Sequence, residues 1–412
     1  MSFRTAIALA LGGMLALPAA AMAQTTIKLW ALPFDETVQA AFKDVIARFE
    51  EKNPGITVKA ETRGVDEHKT AMRVAIGSDQ APDIYFMWSG LGLGGEFANA
   101  GASAPLDKEY AEHGWDQRFV PAALGDSRRY KGERHGVPYV MNGEAVYYNK
   151  ELFQKAGITA PPTTYDELLA AAEKLKAARI PAFTFGGSVN WHLMRLMDVI
   201  LETKCGAAKH DALMLMQADW SQEPCATDSF TEFRKWTDTY TLKPFMGISD
   251  AQSQSLFYAG RAAMMLEGDW LVKMLELNSD LSKYGLFTFP TGTDRLYFFS
   301  SYFYVSASGK NKDAAIKFLD FLTSPEVQQA HLGDFGATSV TAGLDYSADT
   351  RALDHQWNEI FNKYTQTFVN GDQAFPLDVT TEYWRIINQV ASGDIDPAAA
   401  AGELQSFIAK RG

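Results

Sequence analysis

GRAAMMLEGDW, residues Gly260–Trp270, sets five apolar residues in a row, Ala262 to Leu266, ahead of Gly268-Asp269-Trp270. A strand of that composition is buried on both faces, which is the condition of a sheet covered by helices on either side, as in a parallel α/β sheet. The glycine, the carboxylate and the indole that follow stand at the strand's carboxyl end. In open α/β sheets ligands bind at that end. The stretch therefore predicts an α/β fold and marks one wall of a candidate site.

The chain around it has 412 residues, 47% apolar and 21% charged, enough to bury a large core and to divide into two units. Its N-terminus reads as a secretory signal: Arg4, an apolar run from Thr5 to Ala20, and Ala21-Met22-Ala23 before Gln24, so that residues 1–23 are expected to be removed. The run is interrupted by Gly12-Gly13 and Pro18, and it falls short of the roughly 20 residues that span a bilayer. No cysteine follows it to carry a lipid. A periplasmic, soluble protein that is not embedded in the membrane is expected. A net charge of −12 disfavours nucleic acid as a partner. Cys205 and Cys225 can close one small loop in an oxidising compartment, worth about 3 kcal/mol, or stay as two buried thiols.

Periodicity organises the rest. Ile27 to Trp30 is a strand, Val38, Phe42, Val45, Ile46 and Phe49 repeat at helix spacing until Asn53-Pro54-Gly55, and Ile56, Val58 and Ala60 alternate as a second strand. A helix from about Asp66 to Ile76 and a strand at Ile84 to Trp88 complete a βαβαβ series with a parallel sheet. A second series starts near Tyr139: a strand at Ala145 to Tyr148, a helix to Ala156, a helix whose Thr164 and Glu167 form a capping box, and a strand at Ala182 to Phe185. Two such series predict two lobes. Asp198 to Met246 is helical, Tyr284 to Ser306 returns to strands, Ala314 to Leu322 is a helix, and helices follow from Asp354.

Motifs of chemistry are missing from this pattern. The seven histidines form no H-E-x-x-H and no Cys/His pairing, and there is neither a nucleophile elbow nor a P-loop. Gly90-Leu91-Gly92-Leu93-Gly94-Gly95 lacks the spacing of a dinucleotide fingerprint; it reads as a place where backbone approaches a ligand, or as a tight strand-to-helix connection. Glu144 and Asp269 stand out among the carboxylates because each flanks a strand end. No catalytic set, metal or cofactor is expected.

Five segments follow one another in a familiar order: FEEKNPGITVK (Phe49–Lys59), GSDQAPDIYFMW (Gly77–Trp88), YYNKELFQKAGITAPPTTYDELLAAAEKL (Tyr147–Leu175), AGRAAMMLEGDW (Ala259–Trp270) and AAIKFLDFLTSPEVQQ (Ala314–Gln329). With the signal segment they make the chain resemble the extracellular solute-binding proteins, family 1, in the sugar-binding branch related to maltose-binding protein that serves ATP-binding-cassette importers. The resemblance implies a type II periplasmic-binding-protein fold, two lobes of mostly parallel sheet flanked by helices and joined by crossover hinge segments. Mapped onto this chain, residues 24–143 and 285–334 would form the N-lobe, and residues 144–284 and 335–412 the C-lobe.

The same resemblance implies the site. Trp270, after Gly268 and Asp269, would lie on the cleft floor, where an indole suits the apolar face of a pyranose and carboxylates or amides take its hydroxyl rim. Glu144 would sit on the first crossover, Trp191 on a C-lobe loop, Trp88 and Ser89 on an N-lobe loop, and Phe34 and Asp35 after the first strand. Ser301 and Tyr302 would end a strand at the second crossover, and Trp384 would act as a lid aromatic. Relatives carry charged residues where this chain has Leu32-Pro33-Phe34 and Ser89-Gly90, which argues against maltose itself. Arg63 follows the second strand, and a second arginine converging on it would favour an anionic sugar.

The expected function is that of a periplasmic, monomeric, non-enzymatic binding protein. It would enclose a mono- or disaccharide or related polyol by hinge closure and deliver it to membrane permease subunits. A secreted carbohydrate-active hydrolase or lyase, and a chemosensory ligand carrier, are the alternatives.

Overall fold

The computed structural model describes residues 24–32, 36–76, 78–125, 130–347 and 351–411. Residues 1–23, the expected signal segment, and Phe34 and Asp35 lie outside them. Eight strands form one curled sheet: β1 (Thr25–Ala31), β2 (Ile56–Thr62), β3 (Ile84–Trp88), β4 (Val137–Asn149), β5 (Met264–Gly268), β6 (Tyr284–Phe287), β7 (Leu296–Val305) and β8 (Thr367–Phe368). Their order is β2-β1-β3-β7-β4-β5, with β6 also paired to β4 and β8 to β7.

The first series folds as its periodicity dictates. Helix Glu36–Lys52 buries Ala41, Phe42, Val45 and Phe49 along one stripe, and it stops where Asn53 turns its amide onto the Phe49 carbonyl (2.7 Å) and Gly55 takes φ 95°. β1 then pairs in parallel with β2 and with β3. The remaining pairings, which periodicity does not specify, come from two long strands. β7 runs antiparallel to β3 through its last five residues and antiparallel to the first half of β4. The second half of β4 pairs antiparallel with β5 and β6. Thus β4 and β7 belong to both halves of the sheet.

Alternation along each strand sorts the side chains into four cores, one on each face of each half. On the β1-β3-β7 side, Ile84, Phe86, Phe303 and Val305 pack against helices Glu36–Lys52 and Lys312–Leu322, while Tyr85, Met87, Tyr302 and Tyr304 pack on the opposite face. On the other side Val146, Met264 and Leu266 join the largest core, and Tyr147, Met265 and Trp357 fill its reverse. The apolar run expected to be a strand from Ala262 to Leu266 is buried throughout, but the strand begins only at Met264 and runs to Gly268: Ala262 and Ala263 precede it as bends, and within it Met264 and Leu266 face the largest core while Met265 faces the reverse. Phe287, Phe289 and Tyr297 pack with the β5 side, and Phe335 and Val340 with the β1 side.

Local signals act as their chemistry requires. Thr164 and Glu167 form the reciprocal capping box that opens helix Tyr165–Ala177. The strand expected at Ala182 to Phe185 is reduced to single bridges from Phe183 to Thr241 and Met264, because Pro181 and Gly186-Gly187 leave too little regular backbone for a ladder. Helix Asn190–Met214 breaks at Gly206, φ 71°, beside Cys205, which is bonded to Cys225. Among the described residues no helix is long and apolar enough to cross a membrane.

The bond closes a loop between positions 20 residues apart, so Cys225→Ser is expected to lower unfolding stability by about 3 kcal/mol. Calorimetry of the variant beside the reduced parent checks it, since the two should melt together.

Candidate functional site

Where β4 and β7 pass between the halves, a cleft opens in two chambers of about 410 and 320 Å³ that share Trp191, Asp250 and Trp270 as a wall. Trp88, Ser301, Glu144, Trp191, Asp269 and Trp270, all singled out in the sequence, line it. Gly268 works indirectly: a Cβ there would collide with Cζ3 and Cη2 of the Trp270 ring, so the missing side chain is what lets the indole lie over the strand end. Asp269 hangs its N–H on the Gly143 carbonyl (3.1 Å) and accepts from Asn142 Nδ2 (2.9 Å), tying the end of β5 to β4.

Three expected residues lie elsewhere. Tyr302 follows Ser301 on β7, so alternation turns it to the opposite face, where its hydroxyl donates to Ala123 O (2.6 Å) in a buried core. Ser89 is buried behind Trp88, its N–H donated to Ser300 O (3.0 Å). Trp384 packs against the largest core and points its indole N–H at the Met194 sulfur (3.0 Å), which places it within the packing and not over the cleft. Phe34 and Asp35 fall outside the described residues. Arg63 is engaged by Glu61 (2.9 Å) and lies over the Trp30 ring at 3.8 Å.

The side chain that organises the cleft is Arg195, on the buried helix Asn190–Met214. Its guanidinium stands 4.2 Å from the Trp191 ring centre and 5.0 Å from that of Trp270. Nε lies 2.8 Å from Glu144 Oε2, and Nη1 contacts Glu267 Oε2. Glu267 also accepts from Gln254 (3.1 Å), with the His192 ring 3.6 Å away. His192 Nδ1 accepts the Gly186 N–H (2.9 Å), and burial keeps this imidazole neutral, well below its ordinary pKa. One guanidinium thus serves two carboxylates, and burial pushes Glu144 up to about 7 despite the charge beside it. Asp269 is pushed to about 7 by burial as well.

A second missed group is the segment Asn370–Gln373, which lines the larger chamber through Asn370, Asp372 and Gln373. Its partner is the glycine stretch. A Cβ at Gly90 would strike the Gln373 backbone, and one at Gly92 would come 2.7 Å from Phe375 O. The glycines therefore let one half of the molecule approach the other, and Leu91 N–H donates to Gln373 O (2.8 Å).

The family of bacterial extracellular solute-binding proteins matches residues 35–329. Among curated relatives, a protein of Brucella abortus (strain 2308) is 28% identical over 291 residues, 68% of each chain. The maltotriose-binding protein of Pyrococcus abyssi is 28% identical over 278 residues, 65% of this chain and 56% of that one. The multiple sugar-binding protein of Streptococcus mutans is 23% identical over 317 residues, 74% and 73%. A chitin oligosaccharide binding protein superposes with TM-score 0.84 at 23% identity, covering 94% of this chain and 98% of its own. A solute-binding protein from Thermotoga lettingae bound with alpha-D-tagatose gives 0.78 at 21%, covering 94% and 99%. At these identities the two structures speak for the fold, the two-lobed type II arrangement.

Arg195→Met should cost about 3–5 kcal/mol of stability, because Glu144 and Glu267 are left buried without their cation; urea unfolding measures it. In the parent, Glu144 and Asp269 hold protons in the fold that the unfolded chain releases near pH 4. Their contribution to stability is therefore expected to fall as pH rises through the window up to about 7 and to level off above it. Glu144→Gln should flatten its share of that slope in a series of urea midpoints against pH.

Proposed function

The chain belongs to the bacterial extracellular solute-binding proteins, and from that premise we propose that it is the periplasmic substrate-binding component of an ATP-binding-cassette carbohydrate importer. It encloses a mono- or disaccharide or a related derivative between its lobes and hands it, unaltered, to the permease. The observation that carries this reading is the pairing of Trp191 and Trp270 around Arg195 in a cleft between two sheet halves. Half-buried indoles lining a cleft suit the C–H face of a sugar ring, and the carboxylates and amides beside them suit its hydroxyl rim. Relatives named for maltotriose and for multiple sugars support the ligand class.

In this reading the N-lobe comprises residues 24–143 and 285–334, and the C-lobe residues 144–284 and 335–412. Phe287, Phe289 and Tyr297 pack across that division into the C-lobe core, and Phe335 and Val340 into the N-lobe core. Trp88, Glu144, Trp191, Asp269, Trp270 and Ser301 form the contact set, with Gly268 as the seat of Trp270. Closure bends β4 and β7 between the lobes, and it is driven by the ligand's greater affinity for the closed form. Delivery needs only one copy of the chain per ligand, and no residue set for bond cleavage is invoked.

A thermal-shift screen of the protein with neutral sugars, sugar acids, polyols, amino acids and polyamines tests the reading. A ligand at 100 times its Kd stabilises by about 2.7 kcal/mol, raising Tm by roughly 2–4 °C. At least one carbohydrate is expected to do this and to be recovered unchanged, and Trp270→Ala should abolish the shift while leaving the unliganded Tm within a few degrees. Turnover of an oligosaccharide beyond one equivalent, or a shift from non-sugars alone, would sink it.

A further inference from the structure

The segment Asn370–Gln373 is clamped from two sides. Asp198, fully buried on helix Asn190–Met214, accepts the Gly371 N–H (2.9 Å) and the hydroxyls of Tyr297 and Tyr383 (2.8 Å each). From the other side Leu91 N–H holds Gln373 O, and Gly90 brings its backbone against the same residue. The side chains of this segment are presented to the larger chamber on a fixed support.

What they present is oxygen. Among the described residues Asn370 Oδ1, Asp372 Oδ1 and Gln373 Oε1 are buried without a hydrogen-bond partner, and Glu144 Oε1 joins them from β4; the one chamber nitrogen without hydrogen-bond geometry, Arg195 Nη1, lies against Glu267 Oε2. Glu144 and Gln373 are each 2% exposed. A buried acceptor left without a donor is unfavourable, a cost that a ligand recovers only by bringing N–H or O–H groups. Turning either amide would exchange its oxygen for nitrogen, but Asp372 when ionised, and Glu144 once pH exceeds about 7, are acceptors in any orientation.

Charge points the same way. Glu144, Asp250 and Asp372 line this chamber against Lys69 and Arg195. Arg195 is taken by Glu144 and Glu267 and covered by two indoles. Lys69 stands over the Trp88 ring at 4.9 Å. Arg63 is not among the residues lining the chamber; Glu61 holds its Nη2 and its guanidinium lies over the Trp30 ring. Among the described residues lining the chamber the one guanidinium, that of Arg195, is already paired to two carboxylates and Lys69 lies over an indole, so an incoming carboxylate, sulfonate or phosphate would meet three carboxylates against these two cations.

We infer that this chamber selects a ligand whose buried groups are hydrogen-bond donors, a neutral polyhydroxylated sugar or an amino sugar, and excludes uronates, sulfonated sugars and sugar phosphates. The word sugar rests on the carbohydrate reading above; the charge selection rests on Glu144 and the Asn370–Gln373 segment.

Calorimetric titration with matched sets tests it: glucose, glucosamine, glucuronate and glucose 6-phosphate, the corresponding galactose set, and neutral di- and trisaccharides beside their uronate-terminated forms. In the set that binds, the neutral or amino member should exceed its anionic counterpart at least 100-fold in affinity, and the two non-anionic members show which donor is preferred. Asp372→Asn should weaken the preferred member about 10-fold, and Asp372→Arg should narrow the gap to the anion; Gln373→Lys replaces the latter if thermal unfolding shows it misfolded. An anionic sugar bound as tightly as its neutral parent overturns the inference and leaves the carbohydrate reading standing. Binding of only a polyol or polyamine overturns the carbohydrate class and supports donor selection. Binding of only an organic anion, or of nothing, overturns both.

Discussion

The buried guanidinium of Arg195 holds the centre of this cleft. Arg195 lies on a helix whose flanking residues are almost all apolar, and desolvating its charge there is unfavourable by several kcal/mol unless partners surround it. The partners come from three directions: Glu144 from the strand shared by both halves, Glu267 from the end of strand β5, and the π faces of Trp191 and Trp270. Each of these is fixed by something else in turn. Gly268 leaves room for the Trp270 ring, and Gln254 holds Glu267. Remove the guanidinium and the two carboxylates repel, the indoles lose their spacer, and the shared wall of the chambers has no reason to keep its shape.

Much of the scaffold could be read from local periodicity because the residues that decide it are neighbours in sequence. The stripe Phe42, Val45, Phe49 and the alternation at Ile56 to Ala60 need no knowledge of distant chain, and the pairings β1 with β2 and β3 follow from crossover geometry. The direction of β7 does not, since its partners β3 and β4 lie more than 150 residues away and its ten residues are buried on both faces. A uniformly apolar run carries no record of which neighbour it will choose. Phe183 shows the opposite failure: its surroundings look like a strand, yet flanking proline and glycines stop the ladder at single bridges.

The site was legible in proportion to how strange its residues looked locally. Trp270 behind a glycine and an acid, and Glu144 in an apolar strand, announce themselves. Arg195 and Asp198 carry a comparable signal: in NWHLMRLMDVI, residues 190–200, two opposite charges stand inside a largely apolar helix. Charges in such a place must be paired, and asking with what would have led to Glu144 and to Tyr297. The Asn370–Gln373 segment offered no such cue, because polar residues in a short loop are what any surface turn contains. Tyr302 and Ser301 were separable by alternation alone once the strand's phase was known.

The sharing of β4 and β7 also governs how the chain must assemble. Residues 84–88 cannot complete their side of the sheet until residues 301–305 arrive, and β8 joins β7 only from residue 367 onward. Neither half is contiguous, so neither can close as an independent unit while the polypeptide is being made. Loop closure over such separations slows the search for native pairings. The same topology that lets two lobes bend about common strands therefore prolongs the time the chain spends open, the state in which a polypeptide can still be threaded through a narrow pore.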